Sequence, residues 1–351
     1  MKKRKILIAM SGGVDSSVAA ALLKEQGYDP VGITLSFAAD ANQAGASDSV
    51  EAAKAAAEFL HIPHSVLDVN QRFEELVISR FCEQYLSGQT PNPCVVCNRE
   101  IKFHALIMEA RTVNADCVAT GHYARTAFDR NRERYRLMKG KDVEKDQSYF
   151  LFLLTQDQLR AAVFPLGEMT KAEVRRQAEA RGLPVASRPE SQEICFIPGN
   201  NYAEFIGARY PKSGNPGPIM TTTGDVIGTH RGIHSFTIGQ RKGLTVAVGY
   251  PLYVVRLDTH TNTVVVGRKE ETVRSELTAS GVNWIFSDPP TDAITVSARI
   301  RYRHQEKPAT VYPLSDNRVR VVFDTPQAAV TPGQAVVFFQ NEMVLGGGWI
   351  D

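Results

Sequence analysis

Two glycines at Gly12 and Gly13, flanked by Ser11 and followed by Val14, Asp15, Ser16 and Ser17, lie between an apolar run at 6–10 and an Ala/Leu-rich run at 14–26. Paired glycines let the backbone turn sharply and bring its N–H groups close to an anion. The helix that follows adds unsatisfied donors and a partial positive charge, which together favour phosphate. Ser11, Ser16 and Ser17 supply hydroxyls, and Asp15 is placed to position Mg²⁺. The Gly-Lys-Ser/Thr ending of a Walker loop is absent, and so is G-x-G-x-x-G.

Thiols are the second group able to do chemistry. The chain has five cysteines, Cys82, Cys94, Cys97, Cys117 and Cys195, and their odd number in a long chain argues against a disulfide framework. Cys82 and Cys117 sit in apolar patterns and read as buried and inert. Cys94 and Cys97 form a Cys-x-x-Cys in the stretch TPNPCVVCNREIKF (90–103), where Pro91 and Pro93 hold an extended turn. A helix is expected to begin near Cys97 or Asn98. A thiol at that helix start, near Arg99 and Lys102, should be more acidic than an isolated one. Zinc needs four ligands, and neither a second Cys-x-x-Cys nor a spaced His pair is present. A sulfur-carrying or redox role therefore suits these thiols better.

Alternation of short apolar runs with helical patterns before residue 200 predicts a doubly wound α/β domain with a parallel sheet. Strands are expected at 6–10, 31–37 and 65–68, helices at 14–26 and 49–60, and a mobile loop at 40–47. After about residue 199 the period shortens toward two, with turn residues between the runs, which predicts a small mixed β connector and then a C-terminal β-barrel. The expected domains are 1–200, 201–272 and 273–351.

The chain of 351 residues carries 43% hydrophobic and 22% charged residues with a net charge of +2, so neither disorder nor a coiled coil is indicated. No apolar run approaches the roughly 18 residues of a membrane span. The MKKRK start precedes too short an apolar stretch for a signal peptide, so a cytoplasmic protein with no membrane partner is expected. Charge clusters locally: residues 125–145 hold eight Lys/Arg against four Asp/Glu. Arg299, Arg301 and Arg303 alternate, which on a strand would put them on one face with Tyr302 opposite. Both clusters are candidate phosphate-tracking surfaces.

The glycine string SGGVDSS resembles the pyrophosphate loop of ATP pyrophosphatases, the adenine nucleotide alpha hydrolase-like group that includes argininosuccinate, GMP and NAD synthetases and tRNA thiolases. With TPNPCVVCNREIKF, ATGHYAR (119–125), KDQSYFL (145–151), SQEICFI (191–197), GTHRGIHSFTIGQRKGL (228–244), RIRYRH (299–304), TPGQAVVFF (331–339) and LGGGWI (345–350), the chain resembles the bacterial tRNA-specific 2-thiouridylase family over nearly its whole length. The resemblance implies ATP-dependent thiolation of the wobble uridine of tRNAs for Lys, Glu and Gln. The C2 oxygen would be adenylated, and a persulfide would supply the sulfur. It makes Cys97 the nucleophile and Cys195 the persulfide carrier, with Cys97 either resolving the persulfide to leave a Cys97–Cys195 disulfide or freeing sulfide as the attacking species. It further implies ATP contacts at Ala9, Met10, Ser11, Gly12, Gly13, Val14, Asp15, Ser16, Leu35 and Gly121. Asn92, Pro93 and Cys94 would surround the target base, and His122, Lys145, Asp146, Gln147, Arg301, Tyr302 and Gln334 would contact tRNA. A sulfur-donor relay protein is the implied partner. Some family members carry Asp where this chain has Cys94. With Cys94, Cys97 and Cys195 there are three thiols, the number that could hold a [4Fe–4S] cluster with one open iron, so a persulfide relay and a cluster both remain open.

Overall fold

The computed structural model describes residues 3–37, 44–189, 194–197, 199, 201–244, 246 and 248–351, with backbone alone at 44–47 and 212. Among the described residues, five parallel strands form the first sheet. They are β1 (Lys5–Ala9), β2 (Asp29–Ser36), β3 (His64–Asp68), β4 (Cys117–Ala119) and, after an antiparallel hairpin of β5 (Ala124–Asp129) and β6 (Arg134–Lys139), β7 (Ala162–Val163). The order is β3-β2-β1-β4-β7. Ile6, Leu7 and Ile8 are fully buried, as a strand covered on both faces requires. Helix α1 (Val14–Glu25) follows β1, and α2 (Ala44–Phe59) follows β2.

Order reverses between β1 and β4. At such a switch point the loops leaving adjacent strand ends diverge and open a crevice. Here it receives the glycine turn after β1 and Gly121 after β4. Of the loop expected at 40–47, residues 40–43 lie outside the described residues and 44–47 already belong to α2.

A mixed sheet follows, in the order β10 (Tyr253–Asp258), β11 (Thr263–Gly267), β8 (Gly217–Thr221), β9 (Val226–His230). The barrel is built from β12 (Val273–Trp284), β13 (Ile294–Arg299), β14 (Lys307–Pro313), β15 (Val319–Ala328), β16 (Ala335–Gln340) and β17 (Met343–Ile350). These run antiparallel in the order β12-β15-β14-β13-β16-β17, and pairing of β17 with β12 closes the barrel. The early part of β17 pairs instead with β6, Met343 opposite Met138. The barrel sheet therefore extends into the hairpin between β4 and β7 and is not confined to residues 273–351. One apolar core joins the units, with Leu7, Val118, Tyr149 and Phe152 packed together with Ala335, Val337 and Phe339.

The arginine row departs from expectation. Strand β13 ends at Arg299, and residues 300–304 form a turn. Arg301 and Arg303 do not share a strand face with Arg299. Arg299 itself turns inward: it is 9% exposed, ion-paired to Asp146 at 3.4 Å and Glu306 at 2.9 Å, with its guanidinium over the Phe339 ring.

Candidate functional site

Helix α1 begins with Gly13 as its N-cap, in extended conformation and with no side chain to receive the first-turn N–H groups. Those donors are left for an anion. Gly12 has φ +72°, and a Cβ there would run into the Ser49 carbonyl, so the position demands glycine. Ser16 Oγ accepts from the Ser11 N–H at 3.1 Å and donates to Gly13 O at 3.2 Å, which ties the turn into a compact loop. Gly121 packs directly on this loop, since a Cβ at that position would lie 2.9 Å from the Ser16 nitrogen. Of the other ATP-contact candidates, Ala9 ends β1, Leu35 lies near the end of β2, and Met10, which is buried, donates its N–H to Ile33 O at 2.8 Å.

Asp15 is already engaged. Its carboxylate receives Lys171 Nζ at 2.6 and 2.7 Å and the Tyr123 hydroxyl at 2.7 Å. The Lys171 side chain is 12% exposed and Asp15 27%. An ammonium is thus stationed beside the phosphate turn. Sequence reasoning missed it because the pair spans 156 positions. The only local signal was the capping box of Thr170 and Glu173 that starts helix Lys171–Ala180.

The thiol stretch folds differently from expectation. The helix starts at Pro93, where a missing N–H costs nothing, and runs through Val96 into a π-turn at Cys97–Phe103, followed by helix His104–Thr112. Cys97 therefore lies within a helix, not at its start. It is 6% exposed and packs among Phe73, Phe81, Ile101 and Phe196. Burial pushes the Cys97 thiol up to about 12, and the Lys102 ammonium opposes this only in part. The expected acidic thiol is overturned: desolvation of a thiolate outweighs one nearby cation.

Cys94 and Cys195 are exposed, and no disulfide joins any of the five cysteines. Both sit close enough to Cys97 to oppose its ionisation, so the three thiols gather in one region. Among the described residues no three His, Cys, Asp or Glu side chains approach as metal ligands would. Next to Cys97, buried Asn98 donates from Nδ2 to Phe150 O at 3.2 Å. π-Turns recur at functional sites.

His122 links thiols and phosphate turn. It follows Gly121, bonds through Nδ1 to Thr120 Oγ1 at 2.7 Å, and packs against Phe103 and Phe164. Burial, helped by Lys102, pulls its imidazole down to about 3. His122 is therefore neutral and cannot serve as a phosphate-pairing cation. Lys102 acts on both Cys97 and His122, and Gly121 touches the phosphate turn. Thiols and glycine turn thus occupy the same end of the parallel sheet.

The candidate tRNA contacts divide. Tyr302 packs against Phe150 in a tilted arrangement with ring centroids 4.4 Å apart. Arg301, half-buried, donates to Ala328 O at 3.2 Å. Lys145 donates its backbone N–H to Asp142 O at 3.1 Å and is partly exposed. The Asp146 side chain is turned inward at 2% exposure, and it holds Gly140 N–H, Ser148 N–H and Ser148 Oγ in addition to Arg299. Gln147 accepts the Tyr123 N–H at 3.0 Å through Oε1, and so braces the tyrosine that holds Asp15. Gln334 faces Thr90 and Pro91. Asn92 and Pro93 are buried.

The basic cluster at 125–145 is largely neutralised. Arg125 pairs with Glu168 and Glu342, Arg134 with Asp288, Arg136 with Asp129, Lys139 with Glu306 and Lys141 with Glu173. Several of these pairs tie the β5–β6 hairpin to the barrel, a use of charge invisible in a local count. No helix among the described residues is long and apolar enough to cross a membrane.

Comparison with known proteins gives three family-model matches. Residues 4–199 match a tRNA methyl transferase HUP domain, 203–268 a tRNA methyl transferase PRC-barrel domain and 274–350 an aminomethyltransferase beta-barrel domain. The chain is similar to the tRNA-specific 2-thiouridylase MnmA of Halothermothrix orenii, 49% identical over 353 residues and covering 99% of this chain and 98% of that one. It is 47% identical over 358 residues to the tRNA-specific 2-thiouridylase MnmA of Acetivibrio thermocellus, with 100% of both chains covered. Among solved structures, a 4-thiouridine synthetase–RNA complex with bound ATP is 17% identical, with 60% of this chain and 51% of that chain covered at a TM-score of 0.39. On the full-length matches, this chain belongs to the tRNA-specific 2-thiouridylase family.

Proposed function

We propose that the protein uses ATP to replace the C2 oxygen of a wobble uridine in tRNA (Lys, Glu, Gln type) with sulfur. The observation that carries this is the meeting of the uncapped phosphate turn and the Cys97 region at one end of the sheet, joined through Gly121, His122 and Lys102. In the domain division we favour, residues 1–200 hold the chemistry, 201–272 connect, and 273–351 form the RNA-facing platform.

An amide-type carbonyl oxygen is a poor leaving group. Attack of uridine O2 on the α-phosphorus of ATP releases pyrophosphate and converts that oxygen into AMP, which leaves readily. The turn at residues 11–16 receives the phosphates through backbone N–H groups, and Lys171 supplies a cation for the departing pyrophosphate. Mg²⁺ is commonly held by one or two carboxylates plus phosphates. Asp15 is the carboxylate that fits this role, with Mg²⁺ supplying charge neutralisation when bound.

In the sulfur step, Cys195 carries S–S⁻ obtained from a sulfur-donor protein. The terminal sulfur bonds to C2 as AMP departs. The Cys97 thiolate then attacks the Cys195 sulfur, which forms a Cys97–Cys195 disulfide and leaves 2-thiouridine; an external thiol reduces the disulfide. Cys97 must lose its proton for this step, and its burial keeps it neutral until then. The base has to leave its stack, which costs a few kcal/mol, less in an anticodon loop.

Unmodified tRNA, ATP and a persulfide donor test the reading. Expected are tRNA-dependent pyrophosphate release and 2-thiouridine in the product. Ammonia-dependent product would mark an amide-forming synthetase, and tRNA binding without turnover would mark a scaffold; either result defeats the proposal.

A further inference from the structure

Residues 90–93 carry two prolines, Pro91 and Pro93, so two of the loop's own N–H groups are missing and it has little capacity to build an internal ladder. Its carbonyls must find donors elsewhere. They find them on the rim of the barrel. Gln334 Nε2 donates to Thr90 O at 3.0 Å and to Pro91 O at 2.9 Å. The Thr90 N–H returns a bond to Pro332 O at 2.8 Å. Between these anchors Gly333, at φ +86°, comes so close that a Cβ would lie 3.0 Å from both Thr90 O and Gln89 Cβ.

The rim itself is fixed. The Gly333 N–H donates to Ile350 O and the Ile350 N–H to Gln334 O, both at 2.8 Å, which pins the turn to the end of β17. One residue on, Ala335 O accepts the hydroxyl of Tyr149 at 2.9 Å, and that hydroxyl also bonds the Asn92 side chain. Four consecutive barrel residues thus hold the loop that leads into Cys94 and Cys97 from two sides. A carboxamide nitrogen has two hydrogens, and both of Gln334's are occupied by the loop.

We infer that Gln334 is a positioning residue that acts through the 90–93 loop on the thiol helix, and that the barrel rim is a structural part of the thiolation site. This rests on the thiolation reading above and goes beyond it, because a residue whose amide hydrogens face the loop sets kcat more than tRNA affinity. The loop's register fixes where Cys94 and Cys97 stand relative to the phosphate turn. A displacement of about 1 Å at reacting atoms can cost on the order of a hundredfold.

The test compares Gln334→Glu, which keeps the shape but sets oxygens against two carbonyls, with wild type and with Gly333→Ala. Under steady-state turnover with tRNA varied, kcat of Gln334→Glu falls ten- to hundredfold while KM and the tRNA Kd from filter binding stay within twofold. A rise in Kd at unchanged kcat would make Gln334 a direct RNA contact and overturn the inference. Hydrogen exchange of the peptide covering 90–97, measured without tRNA or ATP, gives a readout that does not need thiolation. Exchange rises at least tenfold in Gln334→Glu if the latch holds the loop, and unchanged exchange refutes the latch even if the wild type makes 2-thiouridine. A wild type that makes none, with exchange raised in the variant, defeats the thiolation reading and leaves the latch standing. If Gly333→Ala does not fold, Gln334→Glu decides alone.

Discussion

Replacing Lys171 by Met removes an ammonium that touches Asp15 beside the phosphate turn. Two contacts disappear, at 2.6 and 2.7 Å, leaving Asp15 with the Tyr123 hydroxyl at 2.7 Å. Charge-assisted hydrogen bonds contribute roughly 1.5–3 kcal/mol when buried. Asp15 is 27% exposed and can rehydrate, so the expected loss of stability is about 1–2 kcal/mol. The chemical loss is larger. Removing a preorganised donor or cation from a developing negative charge costs roughly 10²–10³ in rate. Lys171→Met should therefore slow tRNA-dependent pyrophosphate release a hundredfold or more while leaving tRNA binding intact, and Lys171→Arg should recover much of the loss. Steady-state pyrophosphate detection, with urea melts to confirm folding, makes the measurement. In the double variant with Asp15→Asn, the loss should not exceed that of the worse single change, as expected of groups acting as a unit. Pyrophosphate release by Lys171→Met within threefold of wild type would refute the assignment.

Other outcomes follow from burial and close packing. The Cys97 thiol is raised from 9.0 to about 12. Its neutral form therefore favours the fold in full below pH 9 and progressively less between pH 9 and 12, with a limiting slope of about 1.4 kcal/mol per pH unit. Urea melts between pH 8 and 10.5 should show a shallower decline for Cys97→Ala. His122 is lowered from 6.5 to about 3, so its contribution is present above pH 6.5 and is lost as pH falls toward 3; His122→Gln should flatten the acid limb of the same stability curve. Arg299→Met leaves the buried Asp146 without its ion-pair partner, while Glu306 keeps Lys139, and should cost about 3–5 kcal/mol in denaturant melts. Cys195→Ser should abolish 2-thiouridine formation with tRNA Kd unchanged; retained product would remove the persulfide role.

The turn between β1 and α1 was legible because its cause is local: an apolar run, two glycines and a helix that needs donors satisfied. The barrel strands were legible for the same reason, since inward and outward positions alternate along each one. The thiol helix was not. A helix is expected to begin near Cys97 or Asn98, yet it already starts at Pro93, Asn98 is buried with its amide on Phe150 O, and the turn widens to a π-ladder. Cys97 looked acidic because only its sequence neighbours were visible, whereas Phe73, Phe81 and Phe196 that desolvate it arrive from distant segments. Asp146 was named by resemblance and Arg299 by its alternation with Arg301 and Arg303, and charged side chains are mostly exposed. Their pairing across 153 positions removes both from the surface. Gln334 was found by resemblance, but its partners Thr90 and Pro91 could be seen only in three dimensions.

The short ladder between β6 and β17 has a consequence for biosynthesis. Met138 leaves the ribosome 205 residues ahead of Met343, its partner in that ladder. At roughly 5–20 residues per second, the nascent hairpin stays without that partner for about 10–40 s. An open strand edge invites pairing with a neighbouring chain. Strand β6 carries Arg134 and Arg136 on one face and Lys139 on the other, and like charges on neighbouring polysomal chains repel. Arg134 and Lys139, whose partners Asp288 and Glu306 are made late in the chain, stay unneutralised meanwhile and discourage pairing at that edge.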